Sequence, residues 1–247
     1  MLKKSYSYLL AIALLIIMTA SPALSAYAGV SANVQRYNQY YSAYANVELP
    51  LVKAFQKQDN GSRANDIIAR AIWYMENGYM VYGHSKYKTT GYIDCSNFVA
   101  LVFNDFGYNI TSAARKYNTV GTKVSGVSSK KISGTSKYTL VGVDKLKPGD
   151  IFTFWNTDSS GQRYISHVAI YMGKINGKPA IIHTVSGRPT AIGITTSFSY
   201  WYGQHFAGAR RVLGSSAQKA QAQQKTPAPV IPAKYQLPPQ NPIVMPK

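Results

Sequence analysis

Partway along this chain the apolar residues change their period, and that switch limits the folds open to it. Ala64, Ile67, Ile68, Ala71, Ile72 and Met75 recur at three- and four-residue spacing, as on one buried helix face, and Gly78 supplies the stop. A second apolar face, Phe98, Val99, Leu101, Val102 and Phe106, follows Asp94. From Asp144 onward the pattern is that of strands. A turn at Lys147-Pro148-Gly149-Asp150 leads into a strand over 151–155, Gly161 interrupts, and a second strand covers 167–172. Asn176-Gly177 then makes a hairpin turn into 180–184, and 206–213 forms the last strand. Helices first and hairpin-linked strands afterwards predict an α+β domain with an antiparallel sheet.

The start of the chain points to export. Lys3 and Lys4 precede an apolar run from Tyr8 through Ala20, Pro22 breaks it, and Ala26-Tyr27-Ala28 offers small residues before Gly29. That three-part layout predicts a secretory signal peptide over 1–28, cleaved after Ala28. The run is shorter than the ~20 apolar residues a bilayer needs, so no membrane span is expected once it is removed. A secreted location follows, extracellular and cell-wall associated or periplasmic. Residues 29–62 form a tyrosine-rich extension in which Val34, Tyr37, Tyr41 and Tyr44 fall at helical spacing.

Charge narrows the partners. The chain carries 27 Lys+Arg against 9 Asp+Glu, a formal +18, and loss of Lys3 and Lys4 leaves +16. Such a protein is drawn to polyanions. A specific nucleic acid is not expected, since no recognition motif is present. Anionic wall polymers are, through two segments. One is a basic insertion over 111–140, with Arg115, Lys116, Lys123, Lys130, Lys131 and Lys137 and no acid, read as an exposed loop. The other is the 214–247 tail, rich in Pro, Ala and Gln, which should be disordered. Cutting the chain after Leu213 should leave cleavage of soluble peptides unchanged. A monomer is expected.

Only one cysteine is present, which rules out an intramolecular disulfide and any multi-cysteine metal site. With four His and nine acids, no metal and no cofactor is called for. An exported lone thiol is either buried and inert or kept for reaction. Cys95 sits one residue after Asp94, a good helix N-cap, where unpaired N–H groups favour a thiolate and so predict a lowered thiol pKa. His167, on a strand beside small Ala169, is the candidate base, and His183, across the Asn176-Gly177 hairpin, the candidate orienting group. His84 and His205 read as ordinary packing or surface residues.

Four stretches together resemble one family. Asp94-Cys95-Ser96-Asn97-Phe98, Leu146-Lys147-Pro148-Gly149-Asp150-Ile151, Ser166-His167-Val168-Ala169-Ile170-Tyr171-Met172-Gly173 and Ile181-Ile182-His183-Thr184 look like the NlpC family of cell-wall cysteine peptidases. Ala207-Gly208-Ala209-Arg210-Arg211-Val212 fits that family's last strand, so the resemblance covers 63–213. It implies a papain-like α+β fold with Cys95 as nucleophile, His167 as base and His183 as orienting residue. It further implies hydrolysis of amide bonds in peptidoglycan stem peptides, commonly the γ-D-glutamyl–diamino-acid link, through a thioester acyl-enzyme. Asp94 and Ser96 become candidates to receive the stem peptide. Asn97 stands where the family has Gly, and Met80 where an upstream Tyr is usual, leaving Tyr79 or Tyr82 to take that tyrosine's place. Two other functions compete: another papain-like wall amidase of the CHAP type, and a basic wall-binding protein without activity. The intact Cys95, His167 and His183 argue against the second.

Overall fold

The computed structural model describes residues 44–84, 87–186, 190–214 and 230–236. The expected signal peptide lies outside them, as do Val34, Tyr37 and Tyr41. Residues 44–57 are helical (α1) and bury Tyr44, Val52 and Phe55 in the same core as the helices that follow. This described part of the extension therefore belongs to the domain. The Tyr44 hydroxyl donates to the buried Glu76 carboxylate, tying α1 to the next helix.

That helix, α2 (Arg63–Asn77), is capped by Ser62, whose hydroxyl accepts from the Asn65 N–H, and it ends at Gly78 as the sequence predicts. Strand β1 (Val81–Tyr82) and strand β2 (Tyr92–Ile93) pair in parallel around one helical turn, α3 (Tyr87–Thr90). Helix α4 (Cys95–Asn104) then starts on the Asp94 cap. Three short strands follow, β3 (Thr122–Lys123) and the hairpin of β4 (Ser128–Lys131) with β5 (Tyr138–Val141). The main strands are β6 (Ile151–Thr157), β7 (Arg163–Ile175), β8 (Lys178–Thr184) and β9 (Ile192–Thr195). After the turn α5 (Trp201–Gln204) comes β10 (Phe206–Arg211).

Six of these strands make one antiparallel sheet in the order β3-β10-β6-β7-β8-β9. Alternation along each strand fills both faces. Val168, Ile170, Met172 and Ile182 join the core beneath the helices, whereas Phe152, Phe154, Ala169, Tyr171 and Ile181 build a second core on the other side. The Asn176-Gly177 turn has both residues at positive φ, 51° and 76°, which matches the right-handed twist of the flanking strands. Strand β7 begins earlier than the sequence suggested. Gly161 sits in the turn rather than within a strand, and Asp158 Oδ1 closes that turn by accepting from the N–H groups of Ser160 and Gln162.

Two expectations are corrected. The 111–140 insertion is not a plain loop. Its first part forms the 3-10 turn Ala114–Thr119 and the edge strand β3, with Tyr117, Val120 and Val124 buried. A basic count hides these apolar anchors. Nor is the whole tail without structure. Residues 230–236 pack on the domain: Ile231 is 5% exposed within the core, and the Tyr79 N–H donates to the Tyr235 carbonyl at 2.6 Å. The Tyr235 hydroxyl donates to the Thr89 carbonyl, and its ring lies 5.5 Å from Tyr87. Residues 230–236 are held by the core of the domain.

Candidate active site

Cys95 is the first residue of α4. The Asp94 carboxylate accepts from the Asn97 N–H at 2.8 Å and so fixes the helix start. Opposite it, β6 and β7 slip register between Phe154 and Trp155, which face His167 and Ile165 and leave Ser166 as an extra residue. Such a bulge re-aims the strand locally. The Cys95 Sγ faces the backbone on both sides of His167: its S–H points at the Ser166 carbonyl at 3.8 Å, and the Val168 N–H reaches the sulfur.

The His167 Nε2 lies 2.9 Å from the His183 Nδ1, and the His183 Nε2 lies 2.9 Å from the Thr195 hydroxyl. His183 is fully buried. With its Nε2 engaged, His167 keeps Nδ1 for another partner. Around the two rings stand Phe154, Trp201 and Tyr202, with centroids 5.1–6.2 Å from the imidazoles they meet. A cavity of about 380 Å³ opens here, walled by Tyr82, Asn156, Ser166, His167, Thr184, Ser186, Trp201 and Tyr202.

Burial governs the ionisation of the pair. It pushes the Cys95 thiol up to about 11, although the N–H groups of Val168, Ser96 and Cys95 pull the other way. Burial also pulls His167 down to about 4, against the nearby Asp94 charge. The sequence argument for a lowered thiol pKa thus has the right helix-end donors and omits the larger effect. Both shifts favour the uncharged forms of the two groups. Burial raises Asp94 too, but the Asn97 N–H, the His84 ring, the Asn97 side chain and the Ser96 hydroxyl together hold it below the usual carboxylate value.

The remaining candidates divide. Tyr82 lines the cavity, whereas Tyr79 is buried behind it, so Tyr82 is the tyrosine facing the cleft. Ser96 differs from expectation. It is 2% exposed, and its hydroxyl is spent between the Asp94 carboxylate and the Ser112 carbonyl. Asp94 caps α4 with one oxygen and faces His84 Nδ1 at 3.1 Å with the other. The Ser96 hydroxyl is thus engaged at the helix start, whereas Asp94 keeps one oxygen toward the exposed His84 ring. His84, read as ordinary, touches that cap, and His205 stacks on Trp201 at 4.7 Å. Thr195 and the Trp201-Tyr202 pair were not anticipated. A threonine in a short strand carries no signal of its own, although the aromatic density of 198–202 does.

The sequence profile of the NlpC/P60 family matches residues 76–211, more than half of the chain. The chain belongs to the NlpC/P60 family. Members of that family are generally cell-wall peptidases. No curated protein sequence matches significantly. Among solved structures, the chain is similar to an NlpC/P60 family protein from Bacillus cereus ATCC 10987, at 22% identity and a TM-score of 0.42, over 61% of this chain and 40% of that one. It is also similar to a lipoprotein-like NLP/P60 family protein from Staphylococcus aureus subsp. aureus Mu50, at 22% identity and a TM-score of 0.38, over 61% and 41%. The match thus spans about two fifths of each of these proteins. No described helix is long and apolar enough to cross a membrane.

Proposed function

We propose that this NlpC/P60 chain is an exported cysteine peptidase that cleaves an amide bond in peptidoglycan stem peptides, the γ-D-glutamyl–diamino-acid link being the bond of choice. The observation that carries the reading is the 2.9 Å bond between His167 Nε2 and His183 Nδ1, with the Cys95 sulfur facing the backbone on either side of His167. For His167 to act as base, its Nδ1 must be the bare nitrogen. Its Nε2–H then donates to His183 Nδ1, and His183 Nε2–H donates to the Thr195 hydroxyl. One tautomer runs through the whole row.

Catalysis follows from that row. As the Cys95 sulfur attacks the amide carbon, its proton passes to His167 Nδ1 and the carbonyl electrons move to oxygen. Donors at the start of α4 are suited to that oxyanion, because the first N–H groups of a helix have no helical acceptor. Collapse breaks the C–N bond, and His167 returns the proton to the leaving amine, giving a thioester. Water, deprotonated by His167, then releases the acid and restores the thiol. His183, held in turn by Thr195, keeps the His167 imidazole in place. Tyr82, with Asn156, Trp201 and Tyr202, shapes the channel for the stem peptide. Mass spectrometry of purified peptidoglycan after digestion by the chain and by its Cys95→Ala variant tests the reading. New amine and carboxyl ends at one stem-peptide bond, absent with the variant, support it, while identical digests overturn it.

A further inference from the structure

Two arginines away from the catalytic groups stand over aromatic rings. The Arg163 guanidinium stands 3.8 Å from the centre of the Trp155 ring, and that of Arg115 stands 3.7 Å from the centre of Tyr164. Both line one cavity of about 590 Å³, with Asn118, Asp158 and Gln162. Arg115 comes from the 3-10 turn Ala114–Thr119, and Arg163 opens β7. Among the described residues, neither guanidinium is ion-paired with a carboxylate. Asp158 is the single acid in the wall, and its Oδ1 is taken up by Ser160 and Gln162 of its own turn. The Asp158 charge also acts on Arg115, so two positive charges share the wall with one negative charge.

Stacking prepares such a pair for an anion. The ring fixes the guanidinium plane, which is weakly hydrated, and leaves its N–H edges free to form the forked bonds that suit an oxyanion. The position adds to the chemistry. Arg163 lies four residues before His167 on β7, about 13 Å along an extended strand. The Trp155 ring lies 4.7 Å from His205, which lies 4.7 Å from Trp201 in the catalytic cavity. One aromatic row joins the two cavities.

We propose that this cavity is a second binding site, taking an oxyanion of the wall polymer: a carboxylate of the peptidoglycan or a phosphodiester of a polymer attached to it. The assignment rests on the wall polymer being the substrate, and it gives the cleft an anchoring point outside the bond cleaved. Cosedimentation of the full chain carrying Cys95→Ala tests it on two probes, peptidoglycan stripped of phosphate polymers and the same wall retaining them. Adding Arg115→Gln and Arg163→Gln together should weaken binding about tenfold or more and flatten its salt dependence. The single Arg163→Gln, at an exposed position, should give part of that loss. Loss on both probes identifies a carboxylate, and loss confined to the unstripped wall identifies a phosphodiester. Unchanged binding to both probes by variants that unfold at the parent temperature overturns the proposal. Every arm lacks the nucleophile, so the result is independent of hydrolysis. A chain that fails to cut peptidoglycan yet loses wall binding with the arginines would remove the peptidase reading and leave this one.

Discussion

The ionisation of the Cys95–His167 pair can be read directly from the pH dependence of alkylation. Burial places the thiol at about 11, against an ordinary 9.0, so forming the thiolate costs about 3 kcal/mol more than in an open site. Four pH units below that value, at pH 7, only ~10⁻⁴ of the sulfur is ionised. Iodoacetamide should therefore react slowly at neutral pH, and its rate should climb about tenfold per pH unit from 7 to 10 with no plateau. His167, at about 4, remains an uncharged base throughout this range. Peptide hydrolysis should then be flat from about pH 5 upward, because His167 takes the proton as the sulfur attacks rather than beforehand. Stopped-flow alkylation across pH 4–10, beside kcat/KM on a soluble stem peptide, measures both limbs. A fast alkylation rate that stays level between pH 5 and 8 would mean a standing thiolate–imidazolium pair and would refute the argument from burial.

Other outcomes follow from particular contacts. His167→Ala should lower kcat by about 10²–10⁴; His183→Ala should cost less, and Thr195→Val about tenfold or below, since it removes one neutral hydrogen bond from the row. Asp150 is buried, accepts from the Nε and Nη2 of Arg211 at 2.7 Å each and from the Lys147 N–H, so Asp150→Ala should destabilise the domain by about 3–5 kcal/mol in urea unfolding. Asp94→Ala should cost about 1 kcal/mol of cap energy at neutral pH. Because the folded Asp94 titrates below 3.8, that contribution is complete above this pH and fades as the pH falls through the lower, folded value, which acid titration of both proteins would reveal. Ending the chain after Gly214 should lower kcat/KM on soluble peptides about tenfold, or ~1.4 kcal/mol, by unbacking the segment that leads to Tyr82; full activity would restore the expectation of an idle tail.

How much of this was legible in the sequence depended on the range of the force involved. Local patterns read well: Ser62 and Gly78 bound α2, Asp94 caps α4, and Asn176-Gly177 turns β7 into β8. The meeting of His167 and His183 was also within reach, because a hairpin fixes which residues lie across from one another. Long-range effects were not. The Thr195 hydroxyl reaches His183 only after β9 joins the sheet, and the Ser166 bulge is a matter of pairing rather than residue type. The thiol pKa turned on depth of burial, which no helix-end argument contains. Residues 230–236 looked like the rest of a proline-rich tail, since Ile231 and Tyr235 acquire a role only when the far side of the domain is present.

That last attachment has a consequence in time. The Tyr235–Thr89 bond joins residues 146 positions apart, a separation that makes it a late event in folding, after the sheet and helices have formed. An attachment at the end of the chain can open locally while the rest of the domain stays folded. The β1–β2 pair, and with it the Tyr82 edge of the cleft, is thus governed by a local equilibrium of its own. Amide exchange at Tyr79 reports that equilibrium directly, and it can change while the melting temperature of the domain stands still.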